Sequence, residues 1–180
     1  MNIATYITSL RIFLIIPIAF FINLETIWFN FIALIIFLLA ALTDYLDGYV
    51  ARKMKNETPL GALLDLLADK LLVCLTLVIL LMFNNNFFFA IPALMIISRE
   101  LIISSIRQFI VEKQGKNNMN VSLLGKSKTT LQFVSISLII ISPDLGHFFY
   151  IISISSLWLA SLVSLASLIR YLFDWNKLVN

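Results

Sequence analysis

Four aspartates stand at regular spacing inside two strongly apolar stretches of this 180-residue chain. Asp44 and Asp47 are three positions apart, and Asp65 and Asp69 are four positions apart, so each pair lies on one face of a helix. The loop between the two stretches, about Lys53–Pro59, is short enough to set these faces against each other. Acids inside an apolar span are costly unless they are paired or hydrated. The pattern therefore favours a functional site over aspartates that merely pair with nearby Arg and Lys residues.

The four carboxylates would repel one another unless cations or protons neutralise them. Oxygen ligands without His or Cys favour Mg²⁺ or Mn²⁺ over Zn²⁺. Two divalent ions balance four negative charges, which is the arrangement of a two-metal phosphoryl-transfer site. The spacing thus predicts that two metal ions bind at Asp44, Asp47, Asp65 and Asp69.

The composition places these residues in a membrane protein. Hydrophobic residues make up 61% of the chain and charged residues 13%. The charged share is about half of that in a typical soluble domain, which excludes an ordinary soluble enzyme and a disordered chain. A single cysteine, Cys74, excludes a disulfide framework and a cysteine zinc cluster. The length predicts one domain over residues 1–180.

Six apolar stretches are candidates for membrane-spanning helices, which need about 20 residues each. The predicted spans are Ile7–Ile22, Ile27–Val50, Leu60–Phe83, Phe87–Ile110, Leu124–Ile141 and Phe148–Leu172. The links between them, such as Ser142–His147, are short and favour antiparallel neighbours. The sequence therefore predicts an all-α, polytopic membrane protein with six transmembrane helices. A signal peptide is the alternative for the first stretch, but its only charge, Arg11, lies inside the stretch, and no A-x-A-like site follows.

The basic residues predict the orientation of this bundle. With six spans, all 13 Lys and Arg residues fall on or near one side. The loops on the other side contain Glu25 and Asp144 but no Lys or Arg. The positive-inside rule then places both termini, and the side that holds the four aspartates, in the cytoplasm. Aromatic residues cluster near both predicted boundaries, although Trp158 lies outside these belts.

The sequence around the aspartates resembles the signature of the CDP-alcohol phosphatidyltransferases. The pattern D-x2-D-G-x2-A-R-x8-G-x3-D-x3-D runs without mismatch through Asp44, Asp47, Gly48, Ala51, Arg52, Gly61, Asp65 and Asp69. Asn2–Arg11, Ser98–Leu101 with Arg107, and Leu124–Thr129 are similar to the phosphatidylglycerophosphate synthase branch, whereas the last span carries little family signal. The resemblance implies a six-helix homodimer in a bacterial-type inner membrane, with its site open to the cytoplasm.

The resemblance also implies a reaction, the transfer of a phosphatidyl group from CDP-diacylglycerol to sn-glycerol 3-phosphate with release of CMP. Asp44, Asp47 and Asp65 are then expected to hold metal on the CDP pyrophosphate, and Asp69 to accept the proton of the glycerol hydroxyl as well as contact metal. The residues expected to bind CDP-diacylglycerol are Thr8, Asp47, Gly48, Ala51, Arg52 and Thr58. The alternatives are a lipid-headgroup anchor for Arg52 and solvated surface for the two threonines.

The acceptor carries its own phosphate and requires fixed positive charge. Arg99 and Arg107 are eight positions apart, about 80° around one helix. We expect the glycerol-phosphate site to contain Arg99, Arg107, Lys126 and Lys128. The alternative is that these residues only set the orientation of the chain in the membrane and attract anionic lipid. Glu100 is expected to pair with an arginine, and Lys70 to offset the aspartates.

Three other acceptors are alternatives within the family, namely inositol phosphate, phosphatidylglycerol and serine. The basic cluster argues against serine and phosphatidylglycerol because it favours a phosphorylated acceptor. The alternative from another class is a cation transporter, which predicts acids spread through the membrane or repeated halves, and the sequence has neither pattern. Membrane lipids are expected around the chain, and nucleic acid is not expected as a partner.

Overall fold

The structure is a computed structural model that describes the backbone of residues 3–54, 59–84, 86–114 and 123–179. Side chains are described for residues 10–43, 67–68, 70–84, 86–109 and 128–173. The described backbone is all-α, as the sequence predicts. Its six helices are α1 (Ile3–Asn23), α2 (Ile27–Met54), α3 (Pro59–Phe83), α4 (Phe87–Gln114), α5 (Leu123–Leu145) and α6 (His147–Val179).

The link between α5 and α6 is shorter than the sequence suggests. The predicted loop Ser142–His147 is wrong, because α5 continues through Pro143 to Leu145 and α6 begins at His147. Only Gly146 separates the two helices, and its φ of +87° lies in the left-handed region that glycine adopts without strain. The tight turn places α6 directly against α5.

Two prolines inside helices leave backbone carbonyls that side chains then satisfy. A proline removes the hydrogen bond to the carbonyl four residues earlier. The freed carbonyl before Pro92 is that of Phe88, which accepts the Trp158 Nε1–H at 3.0 Å. The corresponding carbonyl before Pro143, that of Ile139, accepts the Ser142 hydroxyl at 3.0 Å. An unpaired carbonyl in an apolar medium is costly, so these hydrogen bonds help α4 and α5 to stay helical past their prolines. The bond to the Phe88 carbonyl also gives a reason for a tryptophan at position 158, outside the aromatic belts.

The helices form one bundle in which α1 packs against α2 and α3, while α6 packs against α4 and α5. Contacts of α2 and α3 with α5 join the two groups. Every helix contributes a completely buried apolar side chain to the interior, and these include Ile18, Phe37, Leu77, Ile96, Ile136 and Leu157. The bundle thereby brings the aspartate helices α2 and α3 next to the basic segments of α4 and α5.

The outside of the bundle is covered with large apolar side chains. On α1, Leu10, Phe13, Ile16 and Phe20 are each more than half exposed. Such continuous apolar surface marks contact with a membrane or a partner. Within the described residues, Phe87–Phe109 and His147–Phe173 are long and apolar enough to cross a membrane. These features indicate a membrane protein, and the number of six spans stays a prediction.

Candidate functional site

The backbone places the aspartate motif on two consecutive helices that pack against each other. Asp44 and Asp47 lie on α2, and Asp65 and Asp69 lie on α3. The helical spacing predicted for both pairs is therefore confirmed. The predicted site residues whose side chains lie outside the described part of the chain are Thr8, Asp44, Asp47, Ala51, Arg52, Asp65, Asp69 and Lys126. Gly48 lies on α2, and Thr58 lies outside the described residues altogether.

The four aspartates lie at similar distances along α2 and α3 from the adjoining ends of these two helices. Counted from the end of α2 at Met54 and the beginning of α3 at Pro59, Asp44 and Asp69 are each ten residues along their helix, and Asp47 and Asp65 are seven and six residues along. With a rise of about 1.5 Å per residue, these positions lie about 15 Å and about 10 Å from the helix ends. Antiparallel neighbours with this register set an aspartate of one helix at the level of an aspartate of the other.

A buried polar network centres on Glu100 and joins α4 to α5. Glu100 Oε1 accepts hydrogen bonds from Arg99 Nη1 at 2.7 Å, Lys128 Nζ at 2.7 Å and Gln132 Nε2 at 3.4 Å. Glu100 is 8% exposed, Arg99 3% and Lys128 7%. The expected pairing of Glu100 with an arginine is thus confirmed. Lys128 is a second cation on the same carboxylate oxygen, a pairing that was not predicted from the sequence.

The last helix, α6, holds Arg99 from the other side. Arg99 Nε donates to the Ser164 carbonyl oxygen at 3.3 Å, and Arg99 Nη2 donates to Ser167 Oγ at 3.1 Å. Gln132 Nε2 lies 3.4 Å from Ser164 Oγ and so links α5 to the same turn of α6. The span with little family signal therefore takes part in positioning a predicted site residue.

The Glu100 network lies beside the aspartate helix α3. Lys70, the residue that follows Asp69, donates a hydrogen bond to Ser104 on α4. Ser104 is one helical turn from Glu100, and Lys70 and Glu100 line the same small cavity. The arrangement brings the predicted acceptor site next to the predicted metal site. The role expected of Lys70 in offsetting the aspartates stays a prediction.

Arg107 lies about two turns beyond Arg99 on α4 and is half-buried. Its Nε is buried, and none of the described residues accepts a hydrogen bond from it. Arg107 is therefore a predicted acceptor residue that retains a buried donor for an incoming anion.

Arg11 is a further candidate, which is not among the site residues predicted from the sequence. It is 0% exposed on α1, the helix that packs against both aspartate helices. A buried guanidinium requires anionic or several polar partners, so its burial beside α2 and α3 makes it a functional candidate. The signal was present in the sequence, because Arg11 is a charged residue within a predicted span, as the aspartates are.

Comparison with known proteins covers nearly the whole chain. The sequence model of the CDP-alcohol phosphatidyltransferase family matches residues 1–169. A CDP-diacylglycerol–glycerol-3-phosphate 3-phosphatidyltransferase of Wigglesworthia glossinidia brevipalpis is 38% identical over 99% of this chain and 97% of its own. Proteins of the same name from Haemophilus influenzae and Escherichia coli K12 are 38% and 34% identical, each over 95% of this chain and 91% and 93% of theirs. The similarity thus extends well beyond the aspartate motif.

Proposed function

The chain belongs to the CDP-alcohol phosphatidyltransferase family, and we propose that it transfers the phosphatidyl group of CDP-diacylglycerol to sn-glycerol 3-phosphate. The products are phosphatidylglycerophosphate and CMP. The observation that carries this proposal is the 34–38% identity, over nearly the whole chain, to relatives that bear the name of this activity. The buried basic residues of α4 and α5 support a phosphorylated acceptor.

In the proposed reaction, the hydroxyl oxygen of glycerol phosphate forms a bond to the phosphorus that carries diacylglycerol. The bond from this phosphorus to the oxygen of the CMP phosphate breaks, and CMP leaves. The Asp69 carboxylate accepts the hydroxyl proton. Arg52 holds the pyrophosphate, because its planar guanidinium matches two phosphate oxygens. Gly48 and Ala51 leave room for the nucleotide.

The donor set of α2 and α3 fits divalent metal ions. Asp44, Asp47, Asp65 and Asp69 offer only carboxylate oxygens, which suit Mg²⁺ and Mn²⁺. The four residues lie on two helices in contact, at similar distances from their adjoining ends. Two bound ions would neutralise the charge that develops on the transferred and leaving phosphates.

The membrane topology is part of the same proposal. We place six helices across a bacterial-type inner membrane, with both termini and the site on the cytoplasmic side. The distribution of all 13 Lys and Arg residues supports this orientation. A homodimer surrounded by membrane lipids, each chain a single domain over residues 1–180, completes the proposed assembly.

Chelation of divalent ions is expected to abolish the reaction. Without metal, the four carboxylates repel one another and the pyrophosphate, so CMP release should fall to background in EDTA. An excess of Mg²⁺ or Mn²⁺ should restore it. The measurement is the initial rate of CMP release by purified protein in detergent, with CDP-diacylglycerol and sn-glycerol 3-phosphate. A rate that survives exhaustive chelation would show that the aspartates serve another purpose.

A further inference from the structure

Two cations converge on one carboxylate oxygen in the interior of the bundle. Arg99 Nη1 and Lys128 Nζ each lie 2.7 Å from Glu100 Oε1. Among the described side chains, two positive charges and one negative charge leave a surplus positive charge where unpaired charge is costly. A cluster kept for stability alone has no need of that surplus, because apolar residues in place of a buried ion pair are often as stable. The surplus therefore points to a negatively charged ligand.

The contacts of Arg99 and Lys128 hold both charged groups in place but use only some of their N–H donors. A guanidinium has five N–H groups and an ammonium has three. Arg99 uses three of its groups on Glu100, Ser164 and Ser167. Lys128 uses one on Glu100. Within the described contacts, each cation keeps two N–H groups that can serve a second anion while Glu100 holds the side chain in place.

The charge of this region matches one class of ligand. The charged side chains described at the Glu100 end of α4 and α5 are Arg99, Arg107, Lys128 and Glu100, with a net charge of +2. A phosphate monoester carries nearly two negative charges at neutral pH. A phosphodiester carries only one, and the free amino acid serine has no net charge. Lys70, which donates to Ser104 from α3, is not part of this sum over α4 and α5.

We propose that Glu100 is a positioning residue for the acceptor. Its carboxylate fixes Arg99 and Lys128 as the base of the glycerol-phosphate site and sets the charge of that site to match a phosphate monoester. The identity of the acceptor rests on the function proposed above, whereas the role of Glu100 rests on its contacts. Without the carboxylate, Arg99 and Lys128 repel each other and Lys128 loses its position, so the phosphate is held less tightly.

Direct binding tests this role separately from turnover. The Kd of the purified protein for sn-glycerol 3-phosphate is measured by calorimetry for the wild type, Glu100→Gln and Glu100→Asp. Glu100→Gln is expected to raise the Kd about tenfold to a hundredfold, as the loss of one charge-assisted contact does. Glu100→Asp keeps the charge and should recover part of the loss. Binding by Glu100→Gln that is as tight as that of the wild type would overturn the proposal.

Two serines of α6 provide a matched comparison that does not depend on the folding of Glu100→Gln. Ser167→Ala removes one uncharged acceptor of Arg99 and should raise the Kd about fivefold, less than the loss of the Glu100 charge. Ser161→Ala is the control, because its buried hydroxyl donates only to the Trp158 carbonyl of its own helix, at 2.8 Å. Equal Kd values for both variants would contradict the proposal. If these shifts are found but CMP release requires a different acceptor, the role of Glu100 is supported and only the acceptor is wrong.

Discussion

Replacement of Asp69 by asparagine is expected to lower the rate of CMP release by about 10²–10⁴-fold, the usual contribution of a general base. Asparagine has nearly the same size as aspartate, but its amide cannot accept the proton of the glycerol hydroxyl. It also lacks the charge that attracts a metal ion. An excess of Mg²⁺ is therefore not expected to restore the rate. The measurement is the initial rate with both substrates saturating, on protein whose unfolding temperature matches that of the wild type.

Asp144→Asn is the matched control for Asp69→Asn. Asp144 lies near the end of α5, where its Oδ2 accepts a hydrogen bond from Asn30 Nδ2 at 2.8 Å. Lys128 lies sixteen residues earlier on α5, so Asp144 is about 24 Å along the helix from the basic cluster. The same chemical change there should leave turnover close to normal. Near-normal turnover of Asp69→Asn itself would disprove the assignment of Asp69 as the base.

Replacement of Arg107 by alanine is expected to raise the KM for sn-glycerol 3-phosphate about tenfold to a hundredfold. The KM for CDP-diacylglycerol should stay near the wild-type value, because Arg107 lies on α4 and not on either of the helices that carry the aspartates. The physical reason is the loss of a guanidinium whose buried Nε has no acceptor among the described residues. The measurement is a pair of KM values, each determined with the other substrate saturating.

Arg170→Ala separates a specific phosphate contact from the general attraction of a basic surface. Arg170 lies on α6 and is exposed, and the proposed topology puts it on the same side of the membrane as Arg107. Its removal lowers the positive charge of that side by the same amount, but it should change neither KM. An equal rise of both KM values in Arg107→Ala would argue against the phosphate contact.

The helices could be predicted from the sequence because an apolar stretch of this length forms few structures other than a helix. The end of α5 was not, because Pro143, Asp144 and Gly146 together are typical of a loop. The helix continues past Pro143 because the Ser142 hydroxyl satisfies the Ile139 carbonyl. Local sequence does not reveal such a compensation, since it depends on the conformation of one side chain.

The candidate site was predictable where it consists of charges inside apolar spans. This signal identified the four aspartates together with Arg99, Glu100 and Arg107, and it applies equally to Arg11. The contribution of α6 was not predictable, because it consists of the Ser164 carbonyl and the Ser167 hydroxyl. Serine is common along α6, and only the packing of α6 against α4 shows which serines meet Arg99.

We expect the chain to transfer a phosphatidyl group to sn-glycerol 3-phosphate. The most direct test is CMP release by purified protein in detergent with CDP-diacylglycerol and Mg²⁺, supplied with one acceptor at a time. The acceptors to compare are sn-glycerol 3-phosphate, inositol phosphate, phosphatidylglycerol and serine. We expect release with sn-glycerol 3-phosphate alone, together with phosphatidylglycerophosphate as the lipid product. Release only with another acceptor would contradict the proposed acceptor substrate. No release from folded protein with any of the four acceptors would contradict the proposed transferase activity and favour a cation transporter.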